Sequence, residues 1–445
     1  MWTVAQLERD LAERRTTSRE LVEQALARIA APYGEGARAF LKVYAEEARV
    51  DAEHADRLRS RGIKRSRIDG LPVSLKDLFD VAGDVTRAGS KVLALQAKRD
   101  AGAVARLRAA GAIFVGRTNM VEFAFGGVGL NPHYGTPRNP WDRQAARVPG
   151  GSSSGAAVAQ AESMCVMALG SDTRGSIRAP AALCGVTGWK PTARRVPRDG
   201  AFPLSFTLDS VGPLANSVGC CAAYDAVLAG EVDVGLPQID TKGLRLLLPK
   251  SSALADLDPQ VGAAFERALA RFSERGARVE ERAVPAFDRQ SEYFKGGGYA
   301  GAEAYYIHRP YLDRLAEYDP RVSTRLVLGK DMSAADYIAF GDLRAAYMAE
   351  VGALAAPYDA MLMPTVACVA PTIAQTEAAM EDYVRWNMRI LRNPGLINFL
   401  DGCAASVPIH EQGAAPVGLM VCGTAMTDRH TLAVAAALER ALERH

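Results

Sequence analysis

Pro149-Gly150-Gly151-Ser152-Ser153-Ser154-Gly155 opens a run of small residues that ends at Glu162. An unbroken apolar stretch, Met164-Cys165-Val166-Met167-Ala168-Leu169, comes next, and Gly170-Ser171-Asp172-Thr173-Arg174-Gly175-Ser176-Ile177-Arg178-Ala179-Pro180 follows it. The pattern predicts a helix over 152–162 and a buried strand over 164–169, with one Gly/Ser loop before the helix and a second after the strand. A helix that returns the chain to a buried strand is the unit of an α/β fold.

The same unit stands upstream. Val104 and Leu107 lie at helical spacing in 100–110, Gly111 stops the helix, and 112–115 reads as a short buried strand. Before it, Val73, Leu75 and Phe79 alternate with Ser74 and Lys76, which predicts a strand with Ser74 and Lys76 on one face. Near the start, Thr17-Ser18-Arg19-Glu20 is a capping box, and Leu21, Val22, Ala25, Leu26 and Ile29 form one apolar stripe. Further helices are expected over 46–58, 259–274 and 429–444, and strands over 244–248, 277–281, 360–363 and 417–421. With no Ser/Gly/Pro-rich linker and no internal repeat, the chain is read as one large α/β domain, 1–445. Within it are a helical part (1–60), a core carrying the Lys and Ser motifs (65–220) and a Tyr- and Phe-rich segment (285–350) expected to shape a substrate pocket.

Composition narrows the function. Of 445 residues, 53 are basic and 51 acidic, a net charge of +2, which lacks the cationic excess that phosphate binding requires. No nucleic-acid partner is expected. The N-terminus carries charges where a signal peptide needs an apolar run, and no apolar run of membrane-spanning length occurs, so a cytoplasmic protein without a membrane partner is expected. Seven cysteines without C-x-x-C spacing read as buried free thiols, and six histidines without H-E-x-x-H give no metal site; no cofactor is expected. A homodimer is compatible with the sequence.

The two Gly/Ser loops carry the chemistry. Glycines let successive backbone N–H groups converge on a ligand, the way an oxyanion site is built without side chains. Ser176 ends the second loop as a candidate nucleophile, and a hydroxyl needs a base. No His is near it in sequence. Lys76, bordered by apolar residues, is the candidate, because burial disfavours its ammonium form.

At these residues the sequence resembles the amidase signature family. G-G-S-S, a short helix, an apolar strand, D-T-x-G-S-I-R-x-P and the upstream Leu71-Pro72-Val73-Ser74-Leu75-Lys76-Asp77 all match its pattern, and blocks at 116–123, 139–142, 208–213 and 416–419 extend the likeness over nearly the whole chain. The resemblance implies a mixed, mostly parallel sheet covered by helices on both faces. It also implies amide hydrolysis of a small molecule through an acyl-enzyme on a Ser-cisSer-Lys triad: Ser176 as nucleophile, Ser152 as bridging serine with a cis peptide, Lys76 as base. The N–H groups of Thr173, Arg174, Gly175 and Ser176 correspond to the oxyanion hole, and Ser153, Asp172 and Arg178 to supporting positions. Met120 and Arg174 are pocket candidates.

Two positions depart from the family pattern. Ser154 replaces a frequent glycine. Arg174 replaces the first glycine of the usual D-T-G-G-S, which requires either a negative φ or a strained loop. Its side chain either reads a substrate carboxylate or pairs with Asp172 or Asp209. Three other readings compete. Gly151-Ser152-Ser153-Ser154-Gly155 also satisfies the nucleophile elbow of α/β-hydrolases with Ser153 as nucleophile, but 145–149 is a poor strand. The A subunit of a glutamyl-tRNA amidotransferase shares the triad, but Ala179 stands where that protein typically has Gln. A catalytically dead assembly partner fits poorly with three filled triad positions.

Overall fold

The computed structural model describes residues 2–232 and 234–443. Its thirteen strands are β1 (Phe40–Val43), β2 (Pro72–Lys76), β3 (Val85–Thr86), β4 (Leu95–Gln96), β5 (Ile113–Thr118), β6 (Met167–Asp172), β7 (Thr187–Lys190), β8 (Ser210–Ala215), β9 (Arg245–Lys250), β10 (Arg278–Ala283), β11 (Ala360–Pro364), β12 (Cys403–Pro408) and β13 (Gly418–Gly423). Eleven of them form one sheet in the order β1-β5-β2-β6-β8-β7-β12-β13-β11-β9-β10, while β3 and β4 pair separately.

The sheet is mixed, but the expectation that it is mostly parallel needs correction. Its ladders are parallel at β2/β5, β2/β6, β9/β10 and β9/β11, and antiparallel at the other six neighbouring pairs. The reason lies in the connections: β12 returns to β13 through nine residues, too few for the crossover that a parallel neighbour demands. The parallel trio β5, β2 and β6 is the part that holds the sequence-predicted motifs.

Strand periodicity explains how the sheet is covered. On β5, Ile113 and Val115 enter one apolar cluster and Phe114 the other; on β6, Ala168 faces the first and Met167 and Leu169 the second. The first cluster is completed by Val22, Ala25 and Ile29 of helix Ser18–Ile29 and by Ala156–Ala159 of helix Ser154–Ala161. The second is completed by Val104 and Leu107 of helix Gly102–Ala109 and by the C-terminal helix Asp428–Leu442. The capping box forms as read, with Glu20 N–H donating to Thr17 Oγ1 (3.1 Å) and Thr17 N–H to Glu20 (3.0 Å).

Local differences have simple causes. β2 is buried on both faces, so Ser74 and Lys76 are as enclosed as Val73 and Leu75. β6 starts at Met167 and runs on to Asp172, because its ladder with β8 continues through the polar residues Ser171 and Asp172. Helix 259–274 stands as expected; the one expected over 429–444 covers Asp428–Leu442, and position 444 lies outside the described residues. All seven cysteines are buried and free. Among the described residues no helix is long and apolar enough to cross a membrane.

Candidate active site

Parallel pairing brings the site together. Ser74 aligns with Ala168 and Leu75 with Leu169, so the C-terminal ends of β2 and β6 lie side by side. Lys76 ends β2; Ser171 and Asp172 end β6, and the loop to Ser176 follows. Such carboxyl ends are where open α/β sheets present their ligands.

Lys76 is completely buried and donates to Ser152 Oγ (2.7 Å) and Ser171 Oγ (2.9 Å). Burial pushes its ammonium down to about 7, although Asp172 and Asp209 pull the other way. This favours the neutral amine, the form that can accept a proton. Ser152 follows the cis peptide Gly151–Ser152. The two Gly/Ser loops meet where Ser153 N–H donates to Ser176 O (3.2 Å). The Ser176 hydroxyl makes no hydrogen bond to Ser152 in this conformation, so the geometry joins Lys76 to Ser152 and leaves Ser152 and Ser176 unlinked. Catalytic hydrogen bonds of ligand-free enzymes are often long and tighten with substrate.

Asp172 fixes the loop that bears Ser176. Its carboxylate accepts from Gly175 N–H (2.7 Å), Ile177 N–H (3.0 Å) and Asn398 Nδ2 (2.9 Å), and from Arg178 through Nε (3.1 Å) and Nη2 (3.0 Å). Burial alone would raise this carboxyl; the Arg178 guanidinium overcomes that and holds it well below the carboxylate range.

Gly175 therefore requires a correction to the predicted oxyanion hole, since its N–H is engaged by Asp172. The N–H groups of Thr173, Arg174 and Ser176 have no partner among the described residues and remain available to an oxyanion. Gly175 has φ +126°, whereas Arg174 is absent from the positive-φ residues, so its side chain introduces no left-handed strain. Ser153 Oγ approaches Ser171 O (3.4 Å), a supporting contact, and the Ser154 hydroxyl is buried without a partner.

Met120 is not in the pocket. It is fully buried beside Gly89, where its Cγ would lie 2.9 Å from an added Cβ, and its carbonyl accepts from Asn131 (2.7 Å). The cavity of about 270 Å³ next to the site is lined by Ser171 and Thr173 together with Phe202, Leu204, Phe206 and Asp209. The 198–211 segment rather than 285–350 supplies most of that wall.

Arg174 takes neither expected acidic partner. Asp172 is saturated as described, and Asp209 accepts from Thr173 Oγ1 (2.6 Å), Leu204 N–H (2.9 Å) and Ser205 N–H (3.0 Å). The Arg174 guanidinium instead lies over the Phe294 ring, 3.5 Å from its centroid.

Two contributors escaped the sequence reading. Ser171 stood in the quoted motif but had no assigned partner, and Asn398 lies more than 200 residues from the loop it contacts, where no local pattern marks it. Phe294 falls within the 285–350 segment expected to shape the pocket, although no reading paired it with Arg174. The nucleophile-elbow reading loses its geometry, since Arg143–Ala145 is a 3₁₀ turn, no strand runs directly into Gly151, and no histidine bonds Ser153.

Comparison with known proteins identifies the family of the chain. The amidase family matches residues 20–432. A 2-amino-5-chloromuconic acid deaminase of Comamonas testosteroni is 37% identical over 402 residues, covering 88% of this chain and 86% of that protein. The A subunit of the glutamyl-tRNA(Gln) amidotransferase of Roseiflexus castenholzii is 35% identical over 489 aligned positions, covering 100% and 96%. An amidase crystal structure superposes with a TM-score of 0.89 at 32% identity over 99% of each chain. The chain belongs to the amidase signature family of C–N hydrolases.

Proposed function

We propose that the protein hydrolyses a small carboxylic amide to the acid and ammonia or an amine, with Ser176 as nucleophile, Ser152 as proton relay and Lys76 as general base. The observation that carries this reading is Lys76, a buried amine depressed to about 7 and bonded to Ser152 at 2.7 Å. Neutral Lys76 takes the proton of Ser152 as Ser152 takes that of Ser176. Ser176 Oγ then attacks the amide carbon, and the oxyanion forms against the N–H groups of Thr173, Arg174 and Ser176. Collapse returns the proton through Ser152 to the leaving nitrogen and leaves an acyl-enzyme, which water hydrolyses by the same route.

A second reading is favoured by the full-length similarity to the A subunit of the amidotransferase, in which the same residues would release ammonia from glutamine for a partner. The experiment is steady-state hydrolysis by the purified chain of simple amides and of glutamine. Turnover of amides without any partner supports the first reading; turnover of glutamine alone, and only with an added partner protein, supports the second.

A further inference from the structure

Two arginines flank Ser176 at equal distance in sequence, and only one has an anion. Arg178 closes its Nε and Nη2 edge on both oxygens of Asp172. On Arg174 the same two atoms, Nε and Nη2, are buried and have no hydrogen-bond partner. Those hydrogens point in parallel in the guanidinium plane, the edge that grips a carboxylate bidentately.

The surroundings hold that edge in place without occupying it. One guanidinium face is covered by Phe294. Gly395 stands beside the group, so close that an added Cβ would lie 3.4 Å from Arg174 Nε. With its plane fixed by neighbours that accept no hydrogen bond, Arg174 has donors left only for something else. The nearby acids Asp172 and Asp209 are already used, as described above. A second cation, Arg325, lies near enough to act on Arg174, and it too has no ion pair among the described residues; it donates to Phe125 O (2.8 Å). Burial and Arg325 both disfavour the charged form of Arg174, pushing it down to about 9. A buried cation without a counter-ion is costly in a free protein, and an arriving anion relieves that cost. The residue as a whole is only partly buried, while Nε and Nη2 themselves are enclosed.

We infer that Arg174 binds a carboxylate of the substrate through its Nε and Nη2 edge, so that the amide cleaved belongs to an anionic molecule, a half-amide of a dicarboxylic acid. The inference rests on the amide-hydrolase reading for the reaction, but its binding arm does not. Arg174 is two residues from Ser176, so the carboxylate and the scissile carbonyl are held at a set spacing, and the length of the chain between them becomes a selectivity filter.

The test uses the ω-carboxy amides from oxamate to glutaramate, each against its methyl ester, on the full-length enzyme. Wild-type kcat/KM for the best acid should exceed that of its ester by about tenfold or more, the scale of a charge-assisted bidentate contact. In Arg174→Gln that acid-over-ester ratio should fall by about tenfold or more, mainly through KM, and Arg174→Lys should recover part of it. A loop-supporting role would lower both substrates and leave the ratio unchanged, which overturns the inference. So does a wild type that favours the esters. Calorimetric binding of the same pairs to Ser176→Ala separates the two proposals. Preferential binding of the acid that is lost in Ser176→Ala/Arg174→Gln, with no turnover by wild type, contradicts the hydrolase reading alone; turnover of neutral amides without acid preference contradicts this inference alone.

Discussion

Arg178 and Arg174 belong to one loop, carry the same side chain, and have opposite electrostatic fates. Arg178 is enclosed with Asp172 and Asn398, and every oxygen of that carboxylate has donors. Arg174 stacks on Phe294 and has no acid. The first arrangement is complete without a ligand and serves to shape the loop. The second has unused donors and is the side of the loop that faces chemistry yet to arrive. Loop identity and sequence spacing do not distinguish the two; the presence of a saturating partner does.

The largest expected effect comes from breaking the satisfied pair. Arg178→Ala leaves Asp172 charged and enclosed, which should cost about 3–5 kcal/mol of stability, seen as a large drop in Tm by calorimetry. The pair also has an acid signature. Because the Asp172 carboxyl is held below its unfolded value of about 4, its stabilisation is present above that pH and is lost as pH falls toward the folded value. Asp172→Asn should flatten this part of the acid-unfolding curve; an unchanged curve would show that the carboxylate contributes nothing to the loop.

Lys76 adds a third buried cation to the comparison, one proposed to act in its neutral form. Lys76→Ala should lower kcat by about 100-fold or more at pH 7, the scale of general-base catalysis. Lys76→Arg should do no better, since a guanidinium stays protonated. Wild-type kcat/KM should rise with pH through an apparent value near 7 as Lys76 becomes neutral. A rise only near pH 10 would mean that the ammonium is not desolvated.

Arg174→Met sharpens the contrast at smaller scale. Removing a cation that lacks a partner should change stability by less than about 1 kcal/mol or raise it, whereas Arg178→Ala cannot. Equal losses of Tm in the two variants would erase the distinction drawn here. The smallest effect belongs to Ser154→Ala, which deletes a buried hydroxyl without a partner and should be neutral or stabilising by up to about 1 kcal/mol.

The motif-bearing half of the fold was legible because its signals are local. The capping box at Thr17, the apolar run after Met164 and the glycine stop at Gly111 each act within a few residues. The strands that were not foreseen are short or interrupted: β1, β3 and β4 have four residues or fewer, β7 holds Gly188, β8 holds Gly212 and Pro213, and β12 is an Ala- and Ser-rich run. Their identity depends on neighbours from distant sequence, as does the antiparallel direction that reverses the expected balance of the sheet. Within the site, the sequence offered Lys76, Ser152 and Ser176 as candidates, and the structure brings Lys76 and Ser152 into contact. What could not be read was allocation: that Gly175 N–H is taken by Asp172, that Met120 packs on Gly89, and that Arg174 has Phe294 where an acid was expected.

The central claim is that Ser176, served by Ser152 and Lys76, is the nucleophile. Treatment of the native protein with a fluorophosphonate, followed by digestion and mass spectrometry, tests it directly. A single adduct on Ser176, absent in Ser176→Ala and strongly slowed in Lys76→Ala, is the expected result; an adduct on Ser153, or one that survives in Ser176→Ala, would contradict the assignment.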